Sequence, residues 1–141
     1  MPAPVKRTLA LLCASLSGVG LAACGNTVSA AFKGEEHEVA QAISNLQTDA
    51  TAGNEQKLCA NDLASAVVTQ LNAKGGCKQA IKNRLTDIDI FEVSVQSVQV
   101  KASGGRRTAS ASVRSIYSGK TRASTLSLVK EGGKWKILSV Q

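Results

Sequence analysis

The side chains best suited to chemistry in this chain are four cysteines, a single histidine and a few carboxylates together with one tyrosine. Asp87 and Asp89 stand just ahead of an alternating apolar run, His37 sits among Glu35, Glu36 and Glu38, and Tyr117 precedes Ser118-Gly119. Proton abstraction beside a carbonyl needs a carboxylate base in a desolvated cavity and a donor for the developing oxyanion. Asp87 or Asp89 with Tyr117 would form that set, and these three are the catalytic candidates. Each also has a structural reading. Aspartate in a helix-to-strand connection commonly caps or turns the chain. A tyrosine at a strand end packs its ring and leaves its hydroxyl in water. His37, in the first turn of a glutamate-rich helix, reads as a solvated surface residue. With the one histidine so placed, there is no credible Ser-His-Asp or Cys-His set. The double glycines read as hairpin turns or helix stops rather than a phosphate loop.

Cys24 has a different chemistry. Lys6 and Arg7 form a short positive region, residues 8–19 are almost uncharged and rich in Leu and Ala, and small residues then precede the cysteine. This is the layout of a cleavable export signal, with an apolar stretch too short for a good membrane-spanning helix. The sequence Leu21-Ala22-Ala23-Cys24 resembles the lipobox of bacterial lipoproteins. The resemblance implies thioether lipidation of Cys24, cleavage before it and a palmitate-bearing protein anchored on the extracytoplasmic face of the cell membrane. Cys13 fits less well, because Leu12 precedes it where a small residue is wanted.

Removing residues 1–23 of 141 leaves 118, an ordinary size for one domain. Of 17 basic residues 15 then remain against 10 acidic ones, so the mature chain carries about +5. That balance suits an anionic membrane or a polyanionic wall polymer. Nucleic acid is a poor alternative for an exported chain with four aromatic residues, Phe32, Phe91, Tyr117 and Trp135. Export also leaves Cys59 and Cys77 as a pair in an oxidising compartment, where a disulfide is the expected outcome. A metal site would need more ligands than His37 supplies, and nothing in the chain calls for a cofactor.

The elements that must position these residues follow from periodicity. Residues 24–34 are mostly small and aperiodic, and read as a lipidated N-terminus and tether before one domain over residues 35–141. Val39, Ala42, Ile43, Leu46 and Ala50 recur at helical spacing, with Gly53 as the stop. A short helical piece over 54–60 carries Leu58 and Cys59 inward. A third helix is predicted with Asn61 or Asp62 as N-cap and Leu63, Val67, Val68 and Leu71 behind it. Gly75-Gly76 ends it, and Cys77 opens a further short helix with Ile81 and Leu85. A Cys59–Cys77 bridge would clamp the short second helix against the start of this last one.

After Asp87 the period becomes two. Phe91, Val93 and Val95 alternate with polar residues, whereas Val98 and Val100 do so in the opposite phase, which predicts a bulge near Gln96-Ser97. Glycine turns at 104–105, 119 and 132–133 then separate three more strands. Helices followed by an antiparallel meander predict an α+β fold, with one curved four-stranded antiparallel sheet wrapped over the N-terminal helices.

This order, the bulged first strand and the closing Gly-Gly-Lys-Trp-Lys-Ile resemble the nuclear-transport-factor-2-like superfamily. The Cys59 and Cys77 spacing is similar to that of small actinobacterial lipoproteins with such a domain. The resemblance implies a cone of sheet around the first helix, with Trp135 packed on the sheet or that helix. It also implies an open end used by different members as an isomerase-type site, a ligand cavity or an interaction surface. Dimerisation through the sheet is common in the superfamily, and the polar outer positions Ser94, Gln96 and Gln99 do not decide it here. Arg106, Arg107, Lys130, Lys134 and Lys136 lie at two hairpins expected on one end of the meander, where they face headgroups, a partner or only solvent. The function expected is a non-enzymatic, membrane-anchored binding or scaffolding module with an envelope protein or a small apolar ligand as partner. The alternative is an isomerase- or cyclase-type enzyme using the cone pocket.

Overall fold

The computed structural model describes residues 31–86, 91–117 and 119–141, with the side chains of Phe91 and Tyr117 also outside the description. The expectations for residues 1–23, Cys24, Asp87, Asp89 and the Tyr117 side chain therefore fall on parts not described. Within the described residues the chain runs through α1 (Gly34–Thr51), a single turn α2 (Glu55–Lys57), a π-helical turn (Leu58–Asp62), α3 (Ser65–Ala73) and α4 (Cys77–Leu85). Then come β1 (Phe91–Ser103), β2 (Arg106–Tyr117), β3 (Lys120–Glu131) and β4 (Lys134–Val140). The strands form one antiparallel sheet in the order β1-β2-β3-β4. The fold is α+β, as the change of period predicted.

α1 forms because its apolar positions fall on one stripe, while Glu35 and Glu36 favour its N-terminal dipole end. Val39, Ala40 and Ile43 are buried on that stripe. Against them stand Val93 and Val98 of β1, Ala109, Ala111 and Val113 of β2, Leu126 and Leu128 of β3, and Trp135 and Ile137 of β4. Phe32, assigned from sequence to the tether, packs against this same core. The aperiodic segment had hidden it, because one aromatic residue has no period of its own.

Two bulges bend the sheet. β1 slips register between Val95 and Ser97, so the inward phase passes from Val93 and Val95 to Val98 and Val100. β3 and β4 slip between Ser127 and Leu128. Both Gly104-Gly105 and Gly132-Gly133 turn with positive φ at each residue, a geometry that L side chains resist. The two hairpins lie at one end of the sheet, where Arg107 pairs with Glu35 and Lys130 bonds Glu35 and Glu38 at 3.2 and 2.8 Å. Arg107 and Lys130 are thus spent on α1, and Lys136 donates to the Ala60 carbonyl at 3.1 Å. The basic hairpin rim expected from sequence is in large part an internal clasp.

The α3 boundary differs from the expectation. Neither Asn61 nor Asp62 caps it: the N-cap is Ala64, and the capping acceptor is Glu131, whose carboxylate takes the Ser65 N–H. Asp62 ends the π-helical turn instead, closed by a Leu63 N–H to Leu58 carbonyl bond of 3.0 Å. The reason is tertiary. Leu63 pairs parallel to Ile137, and the Ala64 N–H donates to the Ile137 carbonyl at 2.8 Å. The chain there is extended on the edge of β4, so α3 cannot begin before Ser65.

Candidate functional site

A groove of about 620 Å³ opens along the outer flank of α1. One wall is a polar stripe at four-residue spacing, His37, Gln41, Asn45 and Asp49, with Thr48 beside it. Residues four apart share a helix face, so the row lies next to the buried stripe and looks away from the sheet. Gln41 Nε2 donates to Asn45 Oδ1 at 3.1 Å, and Thr48 Oγ1 donates to the Ser44 carbonyl at 2.9 Å. The facing wall is Lys57, Asn61 and Asp62. The Gly133–Lys134–Trp135 end of the last hairpin closes the groove, with Glu38 and Ala42 beneath it.

Asp62 holds the centre. Leu58 anchors one end of the π-helical turn in the core, and the Leu63–Ala64 pairing with β4 fixes the other. The four residues between, Cys59 to Asp62, are thus held from both ends. Asp62 is 7% exposed, and its Oδ2 has no hydrogen-bond partner. Burial raises the Asp62 carboxyl to a pKa of about 7. The negative charge of Asp49 and a hydrogen bond shared with it add to the rise, and Lys57 and Lys136 oppose it. The Asp62 carboxyl therefore keeps its proton up to about neutral pH. Lys57 Nζ lies 3.7 Å from Asp49 Oδ1, a loose pair on a largely exposed side chain. π-helical turns often occur at functional sites, and this one places the groove's most perturbed group.

At the hairpin end, Trp135 is buried at 5% exposure, packed as the expected structural aromatic. Its Nε1 donates to Glu38 at 3.2 Å, and Lys130 lies 5.6 Å from the ring centroid. Bonding to Lys130 first, then its charge and Trp135, holds the Glu38 carboxyl below its ordinary range, and the same bonds raise Lys130.

Of the residues singled out from sequence, His37 is in the groove, half-buried rather than fully solvated. The backbone of Tyr117 pairs with Phe91 and Lys120, at the opposite end of the sheet from the Gly132-Gly133 hairpin. Cys59 and Cys77 are at bonding distance, with Cα atoms 6.1 Å apart, and join the π-helical turn to the first residue of α4. Sequence reasoning missed Asp49 and misassigned Asp62. The i, i+4 row ending at Asp49 was a usable signal, whereas Asn61-Asp62 before an apolar run is locally a capping signal. Among the described residues no three His, Cys, Asp or Glu side chains are grouped to hold a metal ion. No described helix is long and apolar enough to cross a membrane.

No protein-family model matches the chain, and no curated protein sequence matches it. Solved structures do. A proposed dehydratase of the NTF2-like family from Streptomyces avermitilis is 12% identical, with a TM-score of 0.50 over 75% of this chain and 92% of its own. A proposed NTF2-like transpeptidase from Campylobacter jejuni is 13% identical, with a TM-score of 0.47 over 70% of this chain and 95% of its own. At such identities the likeness is one of fold. The chain has the NTF2-like arrangement of helices and sheet.

Proposed function

We propose that this chain is a lipid-anchored, extracytoplasmic binding module that takes its ligand in the α1 groove. The observation that carries the reading is the close packing of the described residues inside the sheet. Where an isomerase-type member would need an open pocket, Val39, Ile43, Ala111, Leu126, Leu128 and Trp135 pack together. An open groove lies outside that cluster, along the polar flank of α1. Anchoring through Cys24 is supported by the ordered signal of Lys6 and Arg7, the apolar run and Leu21-Ala22-Ala23. A fold shared by many activities does not choose among them, so the weight falls on the groove.

Two measurements test the reading. Cells fed a clickable fatty acid should yield labelled protein from the wild-type gene and unlabelled protein from Cys24→Ser. Native mass spectrometry of the protein taken from its own membrane should show a bound molecule or partner that is lost when the groove is altered at Asn45. Absence of label removes the anchor, and the lack of any bound species removes the binding role.

One observation favours the enzyme reading. A carboxyl raised to about 7, as that of Asp62 is, is suitable equipment for general acid–base catalysis. That reading, an isomerase- or cyclase-type activity, would move the reacting site from the sheet interior to Asp49 and Asp62. It predicts that a small molecule captured in the groove is converted by the wild type and only bound by Asp62→Asn.

A further inference from the structure

One buried acceptor that lines the groove, Asp62 Oδ2, has no hydrogen-bond donor. A carboxyl oxygen as buried as Asp62 Oδ2 normally has a donor, because an unmatched polar atom away from water is costly. Nearby donors are engaged elsewhere: Lys136 Nζ on the Ala60 carbonyl and Gln41 Nε2 on Asn45. Lys57 stands off Asp49 at 3.7 Å and is not among the hydrogen bonds to Asp62. Acceptors stand beside it in the same groove. Asp49 adds a second carboxylate, Asn45 Oδ1 accepts from Gln41 and keeps a second lone pair, and Thr48 Oγ1 has given its proton to the Ser44 carbonyl and can only accept. Ala42 and the edge of Trp135 line the same groove with apolar surface.

We propose that this groove binds a primary alkylammonium group, with Asp49 and Asp62 as its paired acceptors and Ala42 and Trp135 against its aliphatic stem. The inference rests on the reading of the chain as a binding module. A primary ammonium presents three donors on a compact head, which suits two carboxylates and a third acceptor such as Thr48. A planar guanidinium would need both carboxylates in its own plane, and a metal ion would need more than the ligands grouped here. Binding exchanges cations. The ammonium arrives with its own protons, the proton held by Asp62 leaves to solvent, and both carboxylates are ionised in the complex. Lys57 on α2, Lys136 on β4 and Lys134 at the hairpin remain as the opposing charges, with Glu38 and His37 toward the other end.

The test is isothermal titration calorimetry on the full chain in detergent, with Nα-acetyl-lysine amide and cadaverine as probes. Nα-acetyl-norleucine amide serves as the neutral control. The expected result is saturable binding of the ammonium probes, at least tenfold weaker in Asp49→Asn and Asp62→Asn. Buffers of different ionisation heat should report about one proton released at pH 6 and almost none at pH 8.5. Tighter binding of the lysine amide than of cadaverine assigns the ammonium to a peptide, and the reverse assigns it to a free amine. Equal binding of the norleucine control, or unchanged affinity in both folded variants, overturns the proposal. The failures are separable: silent ammonium probes alongside a native ligand retained by mass spectrometry sink the alkylammonium claim alone. Silence in both removes the binding module as well.

Discussion

Glu131, at the end of β3, caps α3 from across the fold: its Oε2 accepts the Ser65 backbone N–H at 3.0 Å and its Oε1 accepts Ser65 Oγ at 2.9 Å. The residue in the N-cap position, Ala64, has no side-chain acceptor to offer, so the sheet supplies what the helix lacks. Bonding to the Ser65 backbone and hydroxyl holds the Glu131 carboxyl below its ordinary value. A lowered carboxyl stabilises the fold above its unfolded pKa and loses that contribution as acid protonates it. Glu131→Ala should therefore cost about 1 kcal/mol near pH 7, as loss of a helix cap does, and less below pH about 4. Thermal denaturation at several pH values measures it, and equal losses at every pH would contradict the capping role.

Asp62 works in the opposite sense. Its carboxyl is raised to about 7 in the fold, so the folded state binds a proton that the unfolded chain has already released. Stability should fall as pH rises from about 4 to about 7 and then level off. Asp62→Asn removes this burden. The variant should match the wild type near pH 4 and melt a few degrees higher at pH 8, a gain on the order of 1 kcal/mol once water in the groove is allowed for. A variant less stable than the wild type at pH 8 would show that the ionised carboxylate is needed for folding.

The Cys59–Cys77 bridge closes a loop of 18 residues and ties the π-helical turn to α4. Replacing both cysteines with alanine should lower stability by about 3 kcal/mol through the released chain entropy. The groove should suffer with it, because Asp62 is held in that same turn. Urea denaturation gives the first quantity, and ammonium binding in native conditions reports the second.

Ile43 is 1% exposed in the cluster between α1 and the sheet. Ile43→Ala should cost about 3 kcal/mol, from lost burial and from a cavity that the surrounding strands cannot fully close. Denaturant unfolding followed by Trp135 fluorescence measures this in one experiment, since the chain holds one tryptophan and it belongs to the same cluster. A loss below 1 kcal/mol would mean that the sheet interior relaxes enough to admit a ligand.

What could be read from the chain was what depends on neighbours in sequence. The 3.6 period of Val39, Ile43 and Leu46 placed α1, and the phase change between Val95 and Val98 located the β1 bulge. The paired glycines marked their hairpins, since few other residues tolerate positive φ twice in succession. Each of these is a local preference that tertiary packing reinforces. The groove was illegible for the converse reason. Asp49 and Asp62 meet because Leu63 and Ala64 lie along Ile137, and nothing near Leu63 encodes a partner 74 positions away.

The sequence by itself determined the order of helices and strands, the α+β class, the register-breaking bulge and the one cysteine pair available once the N-terminal segment is set apart. Short-range periodicity and backbone sterics suffice for these. Only the tertiary structure decided that Val39, Ile43, Leu126, Leu128 and Trp135 pack together inside the sheet, that Glu131 rather than Asp62 caps α3, and that Asp62 is buried beside Asp49. Those outcomes are set by which distant segments share the edge of β4. Burial, not residue type, then determines which carboxylate holds a proton at neutral pH.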